Sequence, residues 1–276
     1  MNTNELCNTQ NPVLLQEGFE PTAIVIPGTP VGFSDFRLTT DRGDLKYVDF
    51  FTLDYRPTAI QSPCFATISL GGQNLVQDEN VSNWGNNFQY GRDHKWQIRA
   101  KFSDGQIGNV FLNGQKEGLS ATASQQIQVV AKYTSRAHEK FLNNFSLKFG
   151  QGLKRRQYTH LVPNVAVADN ISQSSYVSPR NQGNIIGVAV SAVVPLEDIA
   201  GNYPNNEQNF TFVDILADGV EIIKNVSASY YNMVSGRDYY LQPMCLNPGA
   251  TFTIRTRTNL PATFPFIIFL DLYFDN

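Results

Sequence analysis

The chain has 276 residues, 16% of them charged and 42% hydrophobic, with a formal net charge of -3. That length suits one large or two compact domains, the apolar fraction is too high for a disordered chain, and the mild acidity argues against a strongly basic nucleic-acid binder. With 20 Gly, 14 Pro, 12 Tyr and 19 Phe against 3 Met, turn and strand formers outweigh helix formers, so an all-β fold is expected. The 26 Asn and 18 Gln nearly equal all charged residues in number, which favours short-range amide contacts over long-range steering.

Taken in chain order, Met1 to Cys7 lacks the basic n-region and apolar core of a signal peptide, so export by that route is not expected. Thr22–Ile26 and Tyr47–Leu53 read as strands. Ile68–Leu75 reads as strand, Gly-containing tight turn and return strand, and a short helix is expected near Val81–Asn87. Gln126–Tyr133 is an apolar strand. Behind an N-capping Ser135, the residues Ala137, Phe141, Leu142 and Phe145 fall on one helical face, which makes 135–145 the best helix candidate. Lys148 to Arg156 follows as a basic segment without strand alternation, and it reads as a flexible linker. Ile185–Val194 is an unbroken apolar run, expected to be buried on both faces. Glu197–Asn209 is an Asn- and Pro-rich loop. Ile215–Ile222 repeats the strand, turn and strand pattern, a second short helix is expected near Val226–Val234, and Thr251–Arg257 alternates cleanly. The apolar stretch Phe264–Phe274 is about half the roughly 20 residues of a spanning helix, and it carries Pro265 and Asp271.

The chain also resembles itself. Asn80–Asp93 and Asn225–Asp238 match at seven of fourteen positions across an offset of 145, and both windows end in Gly-Arg-Asp. Upstream of each lies the hairpin just described, with the second turn expected to be one or two residues longer. Downstream of each lies an apolar strand ending in tyrosine, Tyr133 or Tyr273. A shared order of four features predicts a duplication into two β domains, the first with its linking helix over 1–146 and the second with the linker over 147–276. Domains of this size with many short strands are sandwiches or jelly rolls, so the fold expected is all-β.

Motifs for chemistry are sparse. Cys7, Cys64 and Cys245 have no zinc-site spacing and read as buried or incidental thiols. Only His94, His138 and His160 could serve as a triad base, and none sits in a recognisable motif. No phosphate-binding or calcium loop pattern is found. No enzyme activity, cofactor or metal is expected. The repeated Gly91, Arg92, Asp93 and Gly236, Arg237, Asp238 read as structural turns, in which glycine permits the turn and an Arg/Asp pair stitches the loop.

Two tandem β domains of this size, joined by a helix and without an active site, resemble the double jelly-roll major capsid proteins of tailless icosahedral viruses, in the compact form of lipid-containing bacteriophages. The resemblance covers about Thr22 to Phe274 and rests on the duplication, on the strand, turn, strand and helix order around Leu70–Asn87 and Leu216–Val234, and on the terminal strand. It implies two tandem eight-stranded jelly rolls joined by a short helix and linker, an N-terminal roll in 1–146 and a C-terminal roll in 147–276, and a homotrimer whose six jelly rolls tile as a pseudo-hexagonal capsomer, with neighbouring capsomers and minor or penton proteins as partners, in a virion assembled from chains made in the host cytoplasm. It also implies that Lys148, Lys154, Arg155 and Arg156 lie at the inner face, near an internal membrane or the packaged genome. The plainer reading pairs these cations with acids of the adjacent roll. A tandem β-sandwich that binds glycans, or a viral spike, is the alternative, with Trp84 and Trp96 stacking on sugars rather than filling the core. A β-sandwich hydrolase is the third class.

Overall fold

The computed structural model describes residues 12, 14–19, 22–24, 31–38, 45–52, 65–80, 96–100, 105–116, 119–120, 125–134, 154–163, 170–193, 211–231, 242–258 and 265–274. The first half carries β1 (Gln16–Gly18), β2 (Thr22–Ile24), β3 (Val31–Arg37), β4 (Leu45–Thr52), β5 (Phe65–Leu70), β6 (Gln73–Asn80), β7 (Trp96–Ala100), β8 (Ile107–Asn113), the short pair β9 (Gln115–Lys116) and β10 (Leu119–Ser120), and β11 (Gln125–Thr134). The second half carries β12 (Lys154–Val162), β13 (Asn170–Val177), β14 (Ile185–Val193), β15 (Thr211–Ala217), β16 (Val220–Ser227), β17 (Gln242–Leu246), β18 (Thr251–Thr258) and β19 (Phe266–Phe274). Two compact units result: an N unit, Glu17–Tyr133, and a C unit, Met1–Gln16 with Thr134–Asn276. The C unit thus takes in Leu15 and Gln16, which a division at residue 146 assigns to the first domain.

In the N unit one set of paired strands runs β2-β11-β4-β7 and the other β3-β8-β5-β6; in the C unit the sets are β12-β19-β14-β17 and β13-β18-β15-β16. Counted from the first to the eighth principal strand, both units read first-eighth-third-sixth and second-seventh-fourth-fifth. That order is the jelly roll, an eight-stranded double sheet of two Greek keys. Alternation along β18 sends Phe252, Ile254, Thr256 and Thr258 into the C-unit core and leaves Thr251 to solvent. The apolar run of β14 is buried on both faces from Ile185 to Ala192, as its sequence requires. In the N unit Leu38, Ala66, Ile68, Val110, Leu112 and Ile127 are buried. Each of the larger aliphatic side chains contributes roughly 1.5–3 kcal/mol.

The duplication is visible bond by bond. Hairpin β5–β6 pairs Phe65 with Asn80, Ile68 with Val76 and Leu70 with Gln73. Hairpin β15–β16 pairs Phe212 with Ser227, Ile215 with Ile223 and Ala217 with Val220, an identical register at the offset that separates Phe65 from Phe212. Both turns have two residues, Gly71-Gly72 and Asp218-Gly219, with φ of 57° and 82° in the first and 47° and 82° in the second. Two positive φ values match the right-handed strand twist, and Gly72 and Gly219 adopt theirs without a Cβ penalty. Each return strand then kinks at one more positive-φ residue, Asp78 (55°) or Asn225 (53°). The Asp78 amide donates to Thr67 Oγ1 at 3.1 Å and the Asn225 amide to Asp214 Oδ1 at 2.7 Å. The first turn residues also match: the Gly71 amide donates to the Ile107 carbonyl at 3.0 Å, and that of Asp218 to Thr251 at 2.8 Å.

These registers correct two expectations. The second turn is no longer than the first. Asn225 corresponds to Asp78 and not to Asn80, because turn length and the bulge set the ladder, whereas letter matching aligned two like triplets two residues out of step. Near the second expected helix, Val226 and Ser227 still belong to β16, and only Ala228–Tyr231 turns, as a 3-10 segment. The linking helix 135–145, the Val81–Asn87 helix and the loop Glu197–Asn209 lie outside the described residues.

Candidate functional site

The end of the basic segment, Lys154–Arg156, opens β12 rather than belonging to a linker, and residues 148–153 lie outside the described residues. Lys154, Arg155 and Arg156 pair with Phe274, Tyr273 and Leu272 of β19. The first four residues of β12 are all exposed, so the strand starts without alternation and takes it up only from Tyr158, and among the described residues β12 is the last strand of its sheet. Arg155 Nε lies 3.1 Å from Asp271 Oδ1, and Gln157 Nε2 donates to the same oxygen at 2.9 Å. Asp271 is 3% exposed, so its charge is held by these partners in an otherwise apolar strand. A lone carboxylate within Phe266–Tyr273 was the sequence signal for such a pair. Lys148 lies outside the described residues.

Beyond the cations the strand turns aromatic. The Arg156 guanidinium sits 5.9 Å from the Tyr158 ring centre, and the Tyr158 and Tyr176 rings lie 4.8 Å apart. Their hydroxyls cross: Tyr158 donates to the Val177 carbonyl at 3.2 Å and Tyr176 to that of Thr159. The two end strands β12 and β13 are thereby clasped. Burial pushes the Tyr158 hydroxyl above its ordinary value, and the neighbouring Arg156 charge offsets part of that rise.

Further along, His160 is 1% exposed between the two sheets of the C unit. Its Nδ1 lies 2.9 Å from Ser174 Oγ and its Nε2 3.2 Å from Thr256 Oγ1. Thr256 donates in turn to the Ser172 carbonyl at 3.5 Å, which leaves its oxygen to accept from Nε2–H. Burial holds the pKa of the imidazole below the usual histidine value and so favours the neutral ring, in which the Ser174 hydroxyl donates to Nδ1. A serine within reach of a histidine is also the geometry of a nucleophile and its base. Here His160 is buried and Ser174 half-buried, and the imidazole ties β12 to β13 and β18.

The outward faces of the two units differ at matching rungs. In the N unit Phe33 pairs with Phe111 and Phe111 with Thr67, and Phe33 is 64% exposed. In the C unit Gln173 pairs with Arg255 and Arg255 with Asp214. There Arg255 bonds Asp214 at 3.0 Å and Glu221 at 3.0 Å. Cys245 is disulfide-bonded, which corrects the expectation of three thiols. The turns Gly91, Arg92, Asp93 and Gly236, Arg237, Asp238 lie outside the described residues, as do His94, His138 and Trp84. Among the described residues no cluster of three or more His, Cys, Asp or Glu side chains could hold a metal ion.

No family model matches the sequence, and neither does any curated protein. Among solved structures the chain is similar to PBCV-1 VP54, fitted into a reconstruction of the virophage Sputnik, at 12% identity over 96% of this chain and 94% of that one, with a TM-score of 0.23. It is similar to the STIV MCP at 10% identity over 90% and 97%, with a TM-score of 0.23. It is similar to a peptide-N(4)-(N-acetyl-β-D-glucosaminyl) asparagine amidase at 11% identity over 96% and 97%, with a TM-score of 0.27.

Proposed function

We propose that the chain is a major coat protein, forming homotrimeric, pseudo-hexameric capsomers of a tailless icosahedral bacteriophage that contains lipid. The observation that carries this reading is the presence in one chain of two jelly rolls with the same strand order and the same hairpin register. Three such chains around a threefold axis supply six similar blocks, which is what hexagonal tiling needs from a closed symmetric oligomer. The side chains suit this role, since an exposed aromatic pair on one unit and internally paired charges on the other offer lateral contact area without strong repulsion. Neighbouring capsomers and minor or penton proteins are then its partners, in a virion assembled from chains made in the host cytoplasm.

Light scattering on the full chain tests this. A stable particle of three chain masses that assembles further into shells or sheets is expected. A monomer at every concentration, with no shell in any preparation, refutes it, and sugar binding by that monomer favours a tandem glycan-binding module instead.

A further inference from the structure

The hairpins β5–β6 and β15–β16 share turn, bulge and register, yet their outer edges are treated differently. In the C unit β16 receives one more strand: the Leu15 amide donates to the Ile222 carbonyl at 2.8 Å, and the fully buried Gln16 side chain accepts from the Tyr231 hydroxyl. By the shared register the matching carbonyl in the N unit belongs to Leu75. Among the described residues β6 is the last strand of its sheet.

Two features say what fits there. Lys154–Gln157, the exposed start of β12, belongs to a strand that is likewise the last of its sheet among the described residues, so it offers a second backbone edge. The charges are complementary, because β6 carries Asp78 and Glu79 and β12 begins Lys154, Arg155, Arg156. We propose that a second copy of this chain lays the start of its β12 along the outer edge of β6, so that an edge filled within the C unit by Leu15 and Gln16 is filled in the N unit by a neighbouring molecule. Backbone pairing supplies the register and the opposite charges select the partner. The contact is head-to-tail, so it closes when three copies form a ring. It rests on the coat-protein reading and assigns the basic segment to a protein partner.

The test uses the full chain in two forms, Lys154→Glu with Arg156→Glu, which reverses the charge of the β12 opening, and Gln77→Lys with Glu79→Lys, which turns the acidic β6 basic. Arg155 is left in place because it holds Asp271. Circular dichroism confirms folding, and sedimentation reads the trimer. Each reversed pair is expected to raise the trimer dissociation constant about tenfold or more, and the chain carrying all four substitutions, with its charges exchanged, is expected to form the trimer again. Trimers of parent strength in both reversed forms overturn the proposal while leaving the coat reading intact, and so does a four-substitution chain that stays dissociated. So does a β12 reversal that spares the trimer but weakens salt-sensitive binding to anionic vesicles or nucleic acid. A parent chain that never trimerises overturns both readings.

Discussion

His160 shows how one side chain links the sheets of the C unit to pH. Its folded-state pKa lies below the ordinary value of about 6.5 because a charged imidazole would lose its water between the sheets. Above pH 6.5 the ring is neutral whether the chain is folded or not, so the ring adds no pH dependence. As the pH falls below 6.5 the unfolded chain takes up a proton that the folded chain refuses, and stability drops until the depressed folded value is passed. Each pH unit between the two values is worth about 1.4 kcal/mol. Urea unfolding at pH 7.5 and pH 5 should show this loss in the parent. His160→Gln, which keeps an amide for Ser174 and Thr256, should lack it; an equal loss in both proteins would place the acid sensitivity elsewhere.

At the scale of the element, the repeated hairpin uses one device at two strengths. Thr67 Oγ1 accepts the bulge amide of Asp78 as a neutral hydroxyl, whereas the Asp214 carboxylate accepts that of Asn225 and also binds Arg255. Thr67→Val should cost about 0.5–1.5 kcal/mol, and Asp214→Val about 1.5–3 kcal/mol, because a charged acceptor is lost and Arg255 keeps only Glu221 on this face. Hydrogen exchange at Asp78 and Asn225 checks the ranking, which fails if the two amides are released equally. Such devices were half legible in the sequence. The Gly-containing turns and flanking apolar runs marked both hairpins. The bulge was not marked, because Asp78 and Asn225 are unlike in charge and nothing local distinguishes a left-handed Asp from a surface one. The opening of β12 was no more legible, because its first four residues are all exposed and three consecutive cations carry no apolar period.

For the whole molecule, the all-β class and the two repeated units follow from composition, turn spacing and the duplication, and the jelly-roll order from the resemblance, whereas the disulfide of Cys245 does not follow, because cysteines far apart in sequence reveal pairing only after folding. With three cysteines in all, alkylation of the denatured chain before reduction should modify one residue, and after reduction three. Modification of all three before reduction would show that no disulfide forms.

The C unit takes its first described residues from one end of the chain and the rest from the other. Gln16 meets Tyr231 across 215 positions, and Gln242 reaches the Leu15 carbonyl across 227. On a ribosome adding roughly 5–20 residues per second, Leu15 and Gln16 emerge roughly 10–40 s before β16 exists to receive them. The Glu17–Tyr133 unit is complete during that wait. Exchange of this early segment between two nascent chains is therefore an assembly error to which the fold is exposed, and dilute synthesis with rapid elongation is the condition that protects it.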